Sequence, residues 1–159
     1  MLLIILIAAV LSAMALPSLQ DMLGRIRAEA LRGQLVSLLS TARSTAITRR
    51  QPIEACPSSD GSSCGSDWSH GWLLYPALPP STLDAAPLPP LLVERRPRAG
   101  LQAVSNRARV QFRADGRTGG NNLSIRVCVK DTLHSKVVVS VPGRIRTQRP
   151  RRPTLCQAP

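Results

Sequence analysis

The chain opens on a uniformly apolar run, residues 1–16 (MLLIILIAAVLSAMAL), in which Ser12 is the one polar side chain and no charge appears. A helix needs about 20 apolar residues to cross a bilayer, so this run alone is short of a span. Pro17 comes next, a residue tolerated in the first turn of a helix or at a kink. Beyond it the pattern becomes periodic. Leu19, Met22, Leu23, Ile26, Ala30, Leu35, Leu38, Leu39, Ala42 and Ala46 recur mostly at spacings of three to five, the signature of one buried helical face. Asp21, Arg25, Arg27, Glu29, Arg32 and Arg43 fall mostly between them. Arg49 and Arg50 sit where a helix C-terminus favours cations, and Pro52 stops further helix. The pattern predicts one long helix, its first third in lipid and the remainder packed on the rest of the chain.

After Pro52 the pattern breaks into short runs. Residues 53–56 read as a strand, and 57–67, rich in Ser and Gly around Asp60-Gly61, as a loop. Residues 68–75 (WSHGWLLY) form the most aromatic stretch and read as a buried strand. Residues 76–90 hold six prolines and read as an irregular insertion rather than a ligand for a proline-recognition module, since they cannot join a central strand. Short strands are predicted at 91–95, 101–105 and 109–112, then a turn at 114–117 and a flexible tip at 118–122. Residues 123–130 and 136–141 read as an antiparallel pair around 131–135, ended by Pro142-Gly143. The remainder, 144–156 (RIRTQRPRRPTLC), places five arginines in its first nine positions, and Pro150 and Pro153 discourage regular structure. It reads as a basic arm.

Length and charge narrow the picture. The 159 residues allow one domain of roughly 100–110 residues beyond the apolar run, enough for a single modest core. The natural divisions are 1–16, a membrane-embedded helix start; 17–51, an amphipathic helix; 52–142, a β-rich globular domain; and 143–159, the arm. Net charge is +12, unevenly spread: residues 1–94 carry six Arg against seven acids, whereas 95–159 carry fifteen Lys and Arg against two. Such asymmetry points to an anionic partner, a nucleic acid or a membrane surface.

Four cysteines, Cys56, Cys64, Cys128 and Cys156, come after a membrane-targeting segment, and an even count outside the cytoplasm reads as two disulfides. Three pairings are open. Cys56 and Cys64 flank a turn-rich loop and make the easiest local pair, which leaves Cys128 with Cys156. No CxxC or CxxH spacing supports a zinc site, and no metal or other cofactor is expected. His70 and His134 are isolated, no Gly-rich phosphate loop occurs, and no carboxylates gather around a nucleophile, so an enzyme is not expected.

Several stretches together resemble the type IV minor pilins and pseudopilins of the GspH/FimT family, most closely its FimT branch. They are Leu16-Pro17-Ser18, the helical LSTARSTAI at 39–47, CPSSDGSSC at 56–64, DWSHGW at 67–72, FRADGR at 112–117 and GRIR at 143–146. The resemblance implies an α+β, pilin-like fold: a long N-terminal helix packed on antiparallel β-sheets, with the basic C-terminal arm tethered by a disulfide. It also implies an inner-membrane, single-pass protein with a periplasmic domain that passes into a pilus beside other major and minor pilins. In the FimT branch it implies DNA binding through the Gly-Arg-x-Arg segment, here Gly143, Arg144, Ile145 and Arg146, for DNA uptake in natural transformation. Family members carry a basic leader, a glycine before the prepilin peptidase cut, a mature N-terminus that is methylated, and a nearby glutamate. Alignment on Pro17-Ser18 places these features upstream of Met1; either the start lies further upstream, with processing by that peptidase, or this product is not processed normally, and the upstream start is the favoured expectation. The rival is a signal-peptidase cut at Ala13-Met14-Ala15, opposed by the missing basic n-region and by the helical pattern past Pro17.

The arm has a chemistry of its own. Arginine keeps its charge and offers a planar fork that suits phosphate oxygens. In an extended segment Arg144 and Arg146 point the same way, while Arg149, Arg151 and Arg152 enlarge the patch and Gly143 frees the backbone to turn. With no aromatic in the arm and Gln148 its one amide before Cys156, DNA recognition through the phosphate backbone, independent of sequence, is expected. Arg107, Arg109, Arg113, Arg117 and Arg126 lie on or beside strands as supporting cations. The alternative is a structural minor pilin or type II secretion pseudopilin that initiates or caps a fibre without touching DNA.

Overall fold

The structure, a computed structural model, describes residues 2–77, 89–95, 100–120 and 122–156. One helix, α1 (Leu2–Arg49), runs through Pro17 and leads into eight strands. The helix ends where Arg50 turns left-handed (φ 53°) and the Gln51 N–H reaches back to the Ala46 carbonyl, with Pro52 next. The strands are β1 (Ile53–Pro57), β2 (Gly71–Pro76), β3 (Leu92–Arg95), β4 (Leu101–Ser105), β5 (Val110–Phe112), β6 (Leu123–Val129), β7 (Thr132–Val139) and β8 (Ile145–Gln148). They form two four-stranded antiparallel sheets, ordered β3-β2-β1-β5 and β4-β6-β7-β8.

Both sheets close on one side of the helix. Ala28, Leu31, Leu35, Leu38, Leu39, Ala42 and Ala46 are buried, against Ile53, Ala55 and Phe112 from one sheet and Ile125, Val127, Val137 and Val139 from the other. Each buried leucine contributes roughly 1.5–3 kcal/mol relative to exposure. Strand alternation explains the second sheet: in β6 Leu123, Ile125 and Val127 face the core, while Ser124 and Arg126 lie on the other face. Trp68 and Trp72 are fully buried, and each indole N–H has an acceptor: the Arg107 carbonyl at 3.2 Å and the Trp68 carbonyl at 2.9 Å.

The architecture is the expected α+β fold, with four local corrections. The buried helical face begins only at Ala28, so Leu19, Met22, Leu23 and Ile26 are exposed, and Ala28 and Leu31 are buried where Ala30 was expected. Periodicity marks a face but not how far along the helix a partner covers it. Residues 68–70 form a turn instead of starting a strand, because Asp67 accepts from the Ser69 N–H at 2.9 Å and pairs with His70. The predicted 131–135 loop contracts to the two-residue turn Lys130-Asp131, and β7 starts at Thr132. Thr118 is buried in a bridge to Phe112 rather than part of a flexible tip.

Most of the proline-rich insertion, 78–88, lies outside the described residues. Among the described residues no helix is long and apolar enough to cross a membrane.

Candidate nucleic-acid interface

The arm begins as a strand. β8 pairs antiparallel with β7, Val139 opposite Ile145 and Val138 opposite Arg146, so the segment read as irregular is the edge of a sheet. Ile145 is half-buried against the core, while Arg144 and Arg146 to either side of it are exposed. Alternation turns both guanidinium groups away from the core. Among the described residues neither has a carboxylate at ion-pairing distance.

Three sequence-distant stretches fix the turn that presents them. The Gly143 N–H donates to the Ser140 carbonyl at 2.7 Å, and the Ser140 N–H to the Arg144 carbonyl at 3.0 Å. Gly143 has φ +78°, is buried, and lies so close to the Gly116 carbonyl oxygen that an added Cβ would collide with it. That oxygen also accepts from Arg43 Nε at 3.1 Å. Gly116 (φ +77°) closes its own turn by donating to the Arg113 carbonyl, and the Ile47 side chain packs on it. The stretches 39–47, 112–117 and 143–146 therefore meet at one point. Their shared physical content is a buried backbone junction that aims Arg144 and Arg146 outward.

Beyond β8 the arm is fastened twice. Arg149 donates to Glu29 on α1 at 2.8 Å; Glu29 also pairs with Arg32, and His134 Nε2 stands 4.0 Å away. The Arg32 hydrogen bond, joined by Arg149, holds the Glu29 carboxyl below the usual carboxylate range against its partial desolvation. Burial pushes the His134 imidazole down, only partly offset by Glu29. His134 reaches the helix because a bulge sets it as the extra residue between the pairs Val127–Ser135 and Cys128–Leu133. Arg151 and Arg152 are exposed. The chain then returns to the sheet: the Leu133 N–H donates to the Thr154 carbonyl and the Cys156 N–H to the Asp131 carbonyl, both at 2.8 Å. Cys128–Cys156 and Cys56–Cys64 are the two disulfides, with Cα separations of 6.1 and 5.6 Å.

The supporting cations divide. Arg113 and Arg117 are exposed on the turn that touches Gly143. Arg107 and Arg109 line a separate cleft of about 260 Å³ with Glu54, Gln111 and Thr118, where Arg109 pairs with Glu54 at 3.2 Å. Arg126 lies on the outer face of the second sheet, directly opposite Lys136. Sequence reading missed Lys136 and Glu29, because strand register and helix–arm contact carry no local signal.

The comparisons with known proteins agree on the fold. The minor pilin FimU of Pseudomonas aeruginosa strain PAO1, known in two crystal forms, superposes with TM-scores of 0.63. At 19% and 23% identity, these matches cover 81% and 84% of this chain and 99% and 97% of FimU. The minor pseudopilin EpsH from the Vibrio cholerae type 2 secretion system gives a TM-score of 0.51 at 13% identity, covering 81% of this chain and 98% of EpsH. No curated protein matches the chain in sequence. The family model described as type II transport protein GspH matches residues 31–143, well over half the chain and from the buried helix through the Gly143 junction. The chain belongs to the GspH family and has the fold of the minor pilin FimU and the minor pseudopilin EpsH.

Proposed function

We propose that this pilin binds DNA without sequence specificity through its arginine-rich arm and serves DNA uptake in natural transformation. It sits in the inner membrane before joining a fibre. The observation that carries the reading is the pair Arg144 and Arg146: exposed, free of carboxylate partners among the described residues, and aimed by a buried junction. Cations left without acids on a fixed support suit a polyanion better than a folding role. Arg151 and Arg152 add charge beside them, while Arg149, paired with Glu29, fixes the arm and Gly143 sets its turn.

Arg144, Arg146, Arg151 and Arg152, none of them ion-paired among the described residues, would neutralise four phosphates and give a slope of log K against log salt of about −3.6 on duplex DNA, or roughly a 150-fold loss between 50 and 200 mM. The test titrates the full chain, purified in detergent with both disulfides formed, against duplexes of unrelated sequence. Equal affinities across sequences, a steep salt dependence, and clear weakening in Arg144→Ala/Arg146→Ala are expected. Undetectable binding at low salt would overturn the reading. The structural reading, in which the protein initiates or caps a fibre, would then stand. In cells, loss of fibres on deletion favours that alternative, whereas intact fibres with lost DNA uptake favour the proposal.

A further inference from the structure

We propose that the DNA path continues from the arm across the outer face of the β4-β6-β7-β8 sheet, over Arg146, Lys136 and Arg126. The inference rests on the DNA-binding reading above and adds two residues that lie outside the arm. Strand register creates this row. Arg126 of β6 lies directly opposite Lys136 of β7, and Arg146 of β8 lies opposite Val138, one diagonal step from Lys136. Adjacent strands are about 4.8 Å apart, so the row spans about 10 Å of backbone across three strands. That length covers about three phosphates at the 3.4 Å rise of one DNA strand.

The like-charge pair is the telling feature. Two cations directly opposite on neighbouring strands repel each other, and an acid at either position would remove the repulsion on the same backbone. Instead neither Arg126 nor Lys136 has a carboxylate at ion-pairing distance among the described residues. Of the acids on neighbouring elements, Asp21 pairs with Lys130 and Glu29 with Arg32 and Arg149 on the helix side, while Asp131, in the turn of the same hairpin, pairs with neither cation. A bound polyanion would supply the missing counter-charge.

The other outward residues in these rows are Val104, Ser124, Val138 and Gln148. None is aromatic, so the face offers no platform for unstacked bases. It offers charge alone, which fits the phosphates of a duplex. Central strands β6 and β7 also hold Arg126 and Lys136 more rigidly than a terminal arm could.

The test compares wild type, Arg126→Gln, Lys136→Gln, the double variant and Lys136→Arg, each as full chain in detergent with disulfides intact. Two further contacts raise the wild-type salt slope from about −3.6 to about −5.4, and each loss flattens it by about 0.9. Taking binding at 1 M salt as the common reference, each loss weakens binding about eightfold at 0.1 M, equally for all sequences. Lys136→Arg retains wild-type binding. Thermal melting of the Gln variants matches or exceeds wild type, because a repulsive pair has been removed, which separates lost contact from lost fold. Wild-type binding unchanged in the double variant would overturn the inference and leave the arm reading intact. A loss in Lys136→Arg as large as in Lys136→Gln would also overturn the inference. Failure of wild type itself to bind would overturn both.

Discussion

At the scale of single residues, the most constrained position in the candidate site carries no side chain. Gly143 holds φ +78° with its α-carbon against the Gly116 carbonyl oxygen, an atom also held by Arg43. A left-handed conformation costs a non-glycine residue about 1–2 kcal/mol, and a backbone–backbone collision adds to it. Gly143→Ala is therefore expected to lose about 3 kcal/mol of stability or more by denaturant unfolding. Gly33→Ala is the matched control. Gly33 lies in the helix with nothing within 4 Å of an added Cβ, so alanine there should stabilise by about 0.5–1 kcal/mol. A loss below about 1 kcal/mol at Gly143 would mean that the junction gives way, and that Arg144 and Arg146 are not rigidly aimed.

At the scale of elements, the arm is a strand, a salt-bridged corner and a disulfide-closed return. The 28-residue separation of Cys128 and Cys156 closes a loop whose cross-link contributes roughly 3–4 kcal/mol in the chain-entropy model. Cys156→Ser should lower stability by about that amount, while β8 stays paired through Ile145 and Thr147. Hydrogen exchange checks this: the amides of Leu133 and residue 156, which bond across the return, should lose protection while those of β6 and the rest of β7 keep it. Uniform loss across the sheet would instead make the tether a condition for the whole fold. Only part of this element was legible in the sequence. The arginines, the prolines and the easiest cysteine pairing were readable locally. The strand was not, since Arg-Ile-Arg-Thr-Gln has no hydrophobic run and gains its conformation only from β7 beside it. The helix failed in the opposite way: its periodicity was plain, but nothing local says that the sheets stop covering it before Ala28. The motif stretches at 39–47, 112–117 and 143–146 were visible one by one, and their meeting at Gly116 was not.

At the scale of the whole molecule, the surface proposed for DNA and the apolar stripe of the helix are different surfaces. The helix leaves the globular part near Asp21 and Gly24, where Lys130 pairs with Asp21 at 2.9 Å and Val129 packs 3.0 Å from the position of a Gly24 Cβ. On this stretch Leu19, Met22, Leu23 and Ile26 are each more than two-fifths exposed. A contiguous apolar surface of this kind suits an interface, and under the proposed function other pilins would cover it. Met22→Glu/Ile26→Glu should therefore leave domain stability within about 0.5 kcal/mol of wild type, since neither side chain belongs to the core. The same variant should be missing from sheared fibres on immunoblots; unchanged incorporation would reject the helix stripe as the assembly surface. Arg144→Ala/Arg146→Ala should do the reverse, entering fibres normally but failing to retain DNA. A monomer holding four to six phosphates binds weakly at physiological salt, so several copies on one fibre would multiply its grip without any new contact. The assembly variant should accordingly keep wild-type affinity in solution and still lose DNA capture at the cell surface. That dissociation would separate a DNA-binding pilin whose function depends on the fibre from a soluble DNA-binding protein that happens to share the fold.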